Sequence, residues 1–504
     1  METDVIVVGA GPTGMVLALW LKRFGVDVQI VDKASGPGTQ SRALAVQART
    51  LELYQQSGLT DALLKDGHRA EVLNLWVEGE RKAQVHLGNI GEGITPFPYL
   101  LIYPQDQHER LLEQHLANAG LSVQRECEVV AVEDKEDLVR VYCQAASGAS
   151  SILTARYVVG CDGAGSIVRK GLNIGFPGGT YEQRFYVADI VGSGACLDGN
   201  LHVDLDDVDF IAVFGMQGTG AGRVVGIVPK ALEAKADLNF EDVRGRAIRQ
   251  LGLQVDTVKW FSSYRVHHRV ADRFRVGRVF LAGDAGHVHS PAGGQGMNTG
   301  IGDAINLAWK LSAVVKGEAD TTLLESYERE RIAFARKLVA TTDRAFSLVT
   351  SKGKLAQLVR TRGIPTVMPL AARAKTLRRL MFRTVSQTAI SYRDGPLAEG
   401  SAGNIHGGDR MPWVNDGLQD NFRWFAAAKW QVHVYGTPTP ALEQWCASES
   451  IALNKYEWCD AADVAGVHRD AAYLIRPDSY VAVVTDGSPE MLDAFFRKHG
   501  ISIR

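Results

Sequence analysis

The stretch that decides the fold runs from Val5 to Gly14 and reads Val-Ile-Val-Val-Gly-Ala-Gly-Pro-Thr-Gly. Its four β-branched residues predict a buried strand, and the Gly-x-Gly-x-x-Gly pattern predicts a tight turn that opens a helix over Met15–Phe24. A second β-rich run follows at Asp27–Val31, and Asp32 stands 18 residues after Gly14. Strand, glycine turn, helix, strand and terminal acid together predict a dinucleotide-binding βαβ unit.

The glycines and the acid of such a unit have separate physical tasks. Gly9 permits the tight turn, Gly11 lets a pyrophosphate approach the backbone, and Gly14 lets the helix pack against the strand. The helix N-terminus directs the positive end of its dipole at the phosphates, and Asp32 can accept hydrogen bonds from the adenosine ribose hydroxyls. The alternative interpretation is a glycine turn that only packs.

Length and composition narrow the class of protein. The 504 residues suggest about three domains, or two large ones with an appendage, and the 46 % hydrophobic and 22 % charged residues are typical of a soluble globular chain. A net charge of −2 predicts no global attraction to nucleic acid or to a membrane, so we expect neither partner. The uncharged run Val5–Leu21 contains the glycine turn and follows acidic residues, so we expect neither a membrane span nor a signal peptide.

The cysteines and histidines give no sign of a metal site or a disulfide framework. The six cysteines form neither a CxxC pair nor a zinc pattern, which indicates buried thiols in a reducing cytosol and predicts a cytoplasmic location. His287 and His289 are two residues apart without a third ligand, so we expect no metal.

The pattern changes along the chain. Short strands are predicted between Tyr181 and Pro229, as an antiparallel sheet inserted between two halves of the first domain, and the glycine cluster Gly218–Gly222 is interpreted as a hairpin turn. The segment Arg344–Arg393 holds eleven Lys and Arg residues and no Asp or Glu, whereas the chain from Asp394 onward has 15 acidic and 9 basic residues. We therefore expect a basic helical connector that docks on acidic surface; a nucleic-acid platform would need more interleaved aromatics.

A second motif follows the inserted region. Gly277–Ala285 predicts a buried strand that ends at Asp284, and the loop Pro291–Asn298 then leads into an apolar helix. A glycine-rich loop at a helix N-terminus presents several free N–H groups, which suit a flat ring that becomes anionic on reduction.

These two motifs, with Cys161–Arg169 between them in the order Cys-Asp-Gly-Ala-Gly-Ser-Ile-Val-Arg, resemble the class A flavoprotein monooxygenases over roughly residues 1–345. The chain is most similar to the phenol hydroxylases and aromatic polyketide hydroxylases, which add a thioredoxin-like C-terminal domain. Gly407–Pro412 and Leu474–Asp478 resemble the entry and a late strand of that domain. Because it lacks CxxC, we expect it to be structural and not redox active.

The resemblance implies an α/β fold with four regions. They are a first part of a Rossmann-like FAD-binding domain at 1–175, a substrate-binding antiparallel β-sheet domain at 176–272, the second part of the FAD-binding domain with the basic connector at 273–393, and the thioredoxin-like domain at 394–504.

The resemblance also assigns candidate cofactor residues, with no metal and no catalytic side chain. FAD, tightly bound without a covalent link, is expected to contact these residues: Gly9, Gly11, Pro12, Thr13, Gly14, Asp32, Lys33, Arg42, Gln105, Val129, Asp162, Asp284, Pro291, Gly296, Met297 and Asn298. Asp284 is expected to hold the ribityl chain, Pro291 to lie beside the isoalloxazine, and Gly296, Met297 and Asn298 to offer backbone groups. Asp162 and Arg169 fall in a segment linked to FAD and NAD(P)H contact, where a purely structural turn is equally compatible.

The activity implied is oxygenation of a phenolic or polyketide-like aromatic with O₂ through a C4a-hydroperoxyflavin, with NADPH or NADH as a transient co-substrate. Alternatives of the same fold are Baeyer–Villiger oxygenation, inactivation of an aromatic antibiotic, and an FAD-dependent reductase. A non-catalytic module that recruits an acidic carrier protein or nucleic acid is a third class. We expect a monomer or a homodimer.

Overall fold

The computed structural model describes residues 2–39, 43–205, 210–218, 220–350 and 353–503. None of the helices in these ranges is long and apolar enough to cross a bilayer. The helices are α1 (Pro12–Arg23), α2 (Ala48–Gln56), α3 (Thr60–Asp66), α4 (Gln105–Asn118), α5 (Ile167–Gly171), α6 (Phe240–Leu251), α7 (Gly296–Val315), α8 (Glu325–Thr350), α9 (Lys354–Leu358), α10 (Ile364–Arg373), α11 (Lys375–Val385), α12 (Pro440–Ser448), α13 (Asp460–Ala465) and α14 (Pro489–Lys498).

The first sheet confirms the βαβ unit that the opening motif predicts. Its members are β1 (Glu2–Val8), β2 (Val28–Val31), β8 (Val123–Gln124), β9 (Cys127–Asp134), β10 (Val139–Ala145), β11 (Ser150–Gly160), β17 (Arg275–Val276) and β18 (Val279–Leu281). The main path is β17-β18-β11-β1-β2-β8, in which β18, β11, β1, β2 and β8 run parallel. The parallel strands are buried on both faces, which explains the uninterrupted apolar runs at Val5–Val8 and Val279–Leu281.

The second sheet has eight strands, which is more than the predicted region between Tyr181 and Pro229 could supply. It contains β5 (Val72–Val77), β6 (Glu80–His86), β12 (Gly178–Ser193), β13 (Leu201–Asp204), β14 (Ile211–Gly215), β15 (Ala221–Ile227), β16 (Gln254–Val270) and β19 (His287–Val288), in the order β19-β16-β12-β15-β14-β13-β5-β6. The expectation of a purely antiparallel sheet is wrong at one place, because β13 pairs with β5 in parallel. Since β5 and β6 form a hairpin from the first part of the chain, local sequence pattern did not connect them to this sheet.

Two short sheets accompany the two large ones. The strands β3 (Ala45–Val46), β4 (His68–Ala70) and β7 (Leu100–Ile102) form one, and β20 (Ser401–Ala402) with β21 (Ile405–His406) forms the other. The C-terminal sheet holds β22 (Gln431–Tyr435), β23 (Ala452–Tyr456), β24 (Ala472–Ile475) and β25 (Val481–Thr485), in the order β23-β22-β24-β25 with α12, α13 and α14 around it. This mixed sheet is the architecture expected of the predicted thioredoxin-like unit; the boundaries at 175, 272 and 393 stay predictions.

A buried network of charges joins the C-terminal unit to the FAD-binding part. Arg476, which follows β24, donates to both carboxylate oxygens of Glu330 on α8 at 2.7 and 3.0 Å, and also to Asp478. Lys310 on α7 donates to Glu330 at 2.8 Å, and all four side chains are at most 2 % exposed. Burial alone would raise the pKa of Glu330, but Arg476 and Lys310 hold it down at about 2. The two parts of the chain therefore share one electrostatic core.

The basic connector docks differently from the expectation. Among the described residues of this segment, Arg393 pairs with Asp409, whereas Lys354, Arg362, Arg373, Lys375, Arg378, Arg379 and Arg383 have no carboxylate within 4 Å. Apolar contacts hold the helices instead: Ile364, Met368 and Ala372 on α10 pack on the apolar side chains of β5 and β6, and Phe382 on α11 lies against Gly91. The predicted acidic docking surface is wrong for these cations.

We expect Glu330→Gln to lower the free energy of unfolding by about 3–5 kcal/mol at pH 7, because Lys310 and Arg476 would then share only Asp478 in a buried site. The folded-state pKa of Glu330 lies below its usual 4.5, so its stabilisation is present above that pH and is lost as the pH falls toward 2. The variant should therefore lose less stability than the wild type between pH 7 and about pH 3.

Urea unfolding at both pH values, with FAD in excess, measures this. The matched control is Asp493→Asn, which breaks an exposed pair with Arg497 and should cost less than about 1 kcal/mol. A Glu330→Gln protein as stable as that control would contradict the assigned role of the network.

Candidate functional site

The glycine turn has the shape of a phosphate cradle. Gly9 has a φ of 104°, and a Cβ at Gly14 would lie 1.9 Å from the carbonyl oxygen of Gly9, so these two positions admit no side chain. A Cβ at Gly11, in contrast, would meet no protein atom within 4 Å. Helix α1 begins directly after Gly11 without a side-chain cap, so its first N–H groups face this open space. The cradle thus offers room and donors for a pyrophosphate.

Asp32 lies next to the cradle at the end of β2. One carboxylate oxygen accepts a hydrogen bond from Ala10 N at 2.6 Å and the other from Ala34 N at 2.7 Å. The carboxylate therefore fixes the loop, and its remaining lone pairs can still accept from ribose hydroxyls. Lys33, the next residue, is exposed, and Val129 is buried on β9, whose first residue donates from its backbone to Asp32 O.

The second motif meets the first where two helices begin. The side chain of Thr13 fills the space that a Cβ would need at both Gly283 and Gly300, at 2.6 and 2.3 Å from its hydroxyl oxygen. Helix α7 begins at Gly296 and, like α1, has no side-chain cap. The N-termini of α1 and α7 therefore converge, which brings Asp284 beside the phosphate cradle; Asp284 itself is exposed.

Asn298 acts through its side chain, where the resemblance implied backbone contacts. Its Oδ1 accepts from Gln47 N at 2.9 Å and from the Thr50 hydroxyl at 2.8 Å, and its Nδ2 donates to the carbonyls of Ala45 and Gly294. Asn298 thus ties the Pro291–Asn298 loop to the start of α2. Pro291 is exposed, and Gly296 and Met297 are partly buried.

A buried acid supports the Asp284 turn from behind. Asp303 on α7 accepts from Gly283 N at 2.9 Å, lies 2.7 Å from His287 Nε2, and pairs with Arg331 Nε at 2.6 Å. Burial alone would raise the pKa of Asp303, but Arg331 and His287 lower it, so the carboxylate is ionised in the folded protein. Sequence reasoning missed this triad; the available signal was an acid inside an otherwise apolar helix.

The third motif forms a clamp on the same turn. Asp162 accepts from the backbone of Ile167 and Val168 at the start of α5, and Arg169 donates to the carbonyls of Ala285 and Ala164, each at 2.8 Å. A Cβ at Gly9 would lie 2.9 Å from Asp162 Cα, so this segment touches the glycine turn. These contacts support the structural interpretation of Arg169. Asp162 Oδ1 is buried and has no hydrogen-bond partner among the described residues, so Asp162 stays a candidate to contact a ligand.

Gln105 anchors the chain that leads to the small three-stranded sheet. Its Oε1 accepts from Ala43 N at 3.1 Å, and its Nε2 donates to Glu109, whose other oxygen accepts from Gly38 N. Arg42, which the resemblance assigns to the FAD contacts, lies outside the described residues. The hydrogen bond of Gln105 therefore fixes the backbone at Ala43, the residue that follows Arg42 in the sequence.

One face of the second sheet contacts Ala43 and helix α8, and we call it the inward face. Alternation along the strands places Val187 and Asp189 of β12, Phe214 of β14, Arg223 and Val225 of β15, and Trp260, Ser262 and Tyr264 of β16 on it. Arg223 pairs with Asp189 at 2.6 Å and donates to Ala43 O, while Phe185 and Tyr264 cluster with Phe346 of α8. Between these two contacts, Val225, Trp260 and Ser262 are only partly buried.

Comparison with known proteins decides the family. The family model described as the FAD binding domain matches residues 2–342, about two thirds of the chain. A flavin-dependent monooxygenase of Mycobacteroides abscessus is 32 % identical and covers 98 % of this chain and 99 % of its own. The chain belongs to the class A FAD-dependent aromatic monooxygenases. It is accordingly an FAD-dependent enzyme, as the resemblance implied.

Two further relatives match nearly the whole chain. The 6-methylpretetramide 4-monooxygenase of Streptomyces rimosus is 33 % identical, over 95 % of this chain and 90 % of its own. A solved structure of an anhydrotetracycline hydroxylase from Streptomyces rimosus superposes with a TM-score of 0.80 at 28 % identity and covers 99 % of both chains. The likeness includes the C-terminal unit, because nearly the whole chain is matched.

The residues present fit FAD. The open space at Gly11, the uncapped starts of α1 and α7, and Asp32 at the end of β2 supply room, donors and an acceptor in one continuous region. In the described part of the chain no cluster of three or more His, Cys, Asp or Glu side chains has a metal-binding arrangement.

We expect Gly11→Ala to fold like the wild type but to bind FAD about tenfold or more weakly, because the added methyl takes up the open space and not the position of a protein atom. Gly14→Ala should lower both stability and FAD affinity, since its Cβ would collide with Gly9 O. Flavin absorbance per protein, thermal unfolding of the apoprotein and FAD titration measure the difference.

Gly171→Ala is the control, because its Cβ also meets no atom within 4 Å but lies at the exposed end of α5. If Gly11→Ala retained wild-type FAD affinity, the pyrophosphate would not lie against Gly11.

Proposed function

We propose that this enzyme uses NAD(P)H and O₂ to hydroxylate a phenolic or polycyclic, polyketide-like aromatic that binds between the inward face and the Pro291–Asn298 loop. The observation that carries the proposal is the partly buried patch of Val225, Trp260 and Ser262, which lies between the Arg223 and Phe346 contacts. Apolar and aromatic groups with a few polar ones are typical of sites for flat aromatic ligands.

Polar groups at the α8 end of the inward face favour a substrate with a hydroxyl. Tyr181 donates to Asp343 of α8, and His268 Nδ1 lies 3.4 Å from the same carboxylate. Burial, and secondarily the bond to Asp343, raises the pKa of Tyr181, so the phenol stays protonated at neutral pH. Asp343 and His268 are each 29 % exposed, which leaves them accessible to a substrate hydroxyl.

The division of work follows from these contacts. FAD, when bound, would accept hydride from NAD(P)H and would then activate O₂. The chain positions the ring through Asn298, Asp303 and the two helix N-termini, and it positions the aromatic through the inward face. The packing of the inward face against the Pro291–Asn298 loop would exclude water. Exclusion of water matters because the activated oxygen must react with the substrate before the activated oxygen decomposes.

The direct test is turnover of the purified yellow protein with NADPH or NADH and a panel of phenols, naphthoquinols and tetracyclic aromatics under ¹⁸O₂. We expect substrate-stimulated NAD(P)H oxidation and one labelled oxygen atom in the product by mass spectrometry. NAD(P)H oxidation that yields only hydrogen peroxide with every substrate would contradict the proposal and would favour a reductase.

We expect Val225→Phe to raise KM for the aromatic substrate about tenfold or more, because the larger ring occupies the patch where the substrate would lie. The rate of NAD(P)H oxidation without substrate should change little, since Val225 lies on β15 and not on the elements that form the phosphate cradle. Steady-state kinetics with and without substrate separate the two effects. Val464→Phe, the same change at an exposed position of α13, is the control and should leave KM unchanged; an unchanged KM for Val225→Phe would refute this location of the substrate.

A further inference from the structure

The basic connector exposes an unusual amount of apolar surface. Of the fifteen large apolar side chains that are exposed in the described part of the chain, seven lie between residues 355 and 385, each 42–76 % exposed. They are Leu355 and Leu358 on α9, Val367 and Leu370 on α10, and Leu377, Leu380 and Val385 on α11. Six of them form pairs three residues apart, one pair on each helix, so each helix presents an apolar ridge to solvent.

Cations surround these ridges. Lys354, Arg362, Arg373, Lys375 and Arg383 are exposed, and within the ranges that the structure describes none of them has a carboxylate within 4 Å. The segment 344–393 carries a charge of +11, so the rest of the chain, with the whole at −2, carries −13. We call the seven apolar residues and these five cations the connector surface.

Two of the three helices of the connector surface are anchored to the rest of the chain. The opposite side of α10 packs through Ile364, Met368 and Ala372 on the second sheet, and α11 is anchored by Phe382. Arg49 N also donates to Ser386 O just after α11. The exposed side chains of α10 and α11 therefore cannot turn inward to become buried without breaking these contacts.

We propose that the connector surface binds peripherally to an anionic lipid membrane, with the aliphatic side chains at the acyl boundary and the cations among the headgroup phosphates. Aliphatic residues flanked by Lys and Arg on short helices are the pattern of interfacial binding. A second copy of the chain would bring the same uncompensated cations face to face.

This proposal revises the expectation that the protein has no membrane partner. That expectation rested on the small net charge and on the uncharged N-terminal run. Neither observation reports on a local surface. Peripheral binding needs no spanning helix, and it does not depend on the proposed reaction, because it can be measured without turnover.

The experiment is co-sedimentation of the FAD-loaded full-length enzyme with vesicles of phosphatidylcholine alone or with about 30 % phosphatidylglycerol. We expect binding to the anionic vesicles, little binding to phosphatidylcholine, and a severalfold loss at high salt. Leu377→Ser/Leu380→Ser and Arg373→Gln/Lys375→Gln should each weaken binding about tenfold or more. Retained flavin absorbance shows that the variants are folded.

The matched controls lie on the C-terminal unit. Leu418→Ser removes the most exposed apolar side chain, and Arg469→Gln/Arg497→Gln removes two exposed cations that have acidic neighbours; neither should change binding. No binding to anionic vesicles would overturn the proposal. Binding to anionic vesicles that depends on the cations but not on Leu377 and Leu380 would also overturn it, because it would indicate electrostatic adsorption without insertion of the aliphatic side chains. A dimer, seen by light scattering, that Leu377→Ser/Leu380→Ser dissociates would overturn it in favour of a second copy of the chain.

Discussion

The ionised carboxylate of Asp303 is the contact on which the flavin side of this molecule depends. It lies in the buried helix α7 and holds the backbone of Gly283, the ring of His287 and the guanidinium of Arg331 within 2.9 Å. Because an unpaired buried charge is costly, these partners must be present together, which fixes the turn at Asp284 relative to α7 and α8. Arg331 extends the constraint to Tyr392, two residues before the predicted start of the C-terminal unit.

The cofactor region is built from backbone and space more than from side chains. The close contact of Thr13 with Gly283 and Gly300 forces the starts of α1 and α7 together, and two uncapped helix N-termini then face the same region. Side chains such as Asn298 and Arg169 lie behind the loops and hold the backbone of the candidate cofactor residues in place. A class A monooxygenase can therefore keep its FAD site while the inward face of the second sheet varies with the substrate.

The C-terminal unit has a structural part in this arrangement. The Glu330, Lys310 and Arg476 contacts bury charges from both sides of the interface, and Trp309 of α7 packs edge-on against Trp430, with ring centroids 5.6 Å apart. Helix α7 therefore has the Pro291–Asn298 loop at its N-terminus and contacts the C-terminal unit nearer its C-terminus. Displacement of that unit would expose Glu330 and Lys310 and loosen the helix that positions the loop.

Local pattern was sufficient for the βαβ unit and for the strand before Asp284, because glycines at fixed spacing next to β-branched runs leave few backbone solutions. The FAD family came from the resemblance of the three motifs to known proteins. Local pattern could not show that β5 and β6 join the second sheet, that Asp303 pairs with Arg331 28 residues away, or that the five cations of the connector surface have no carboxylate of the described residues within 4 Å. These features depend on contacts between residues distant in the chain, and only the packing of whole elements against each other decides them. The inward face also depends on such distant contacts. Strand alternation assigns each residue to one of the two faces of the sheet, but only the packing of Ala43 and α8 shows which face is the inward one.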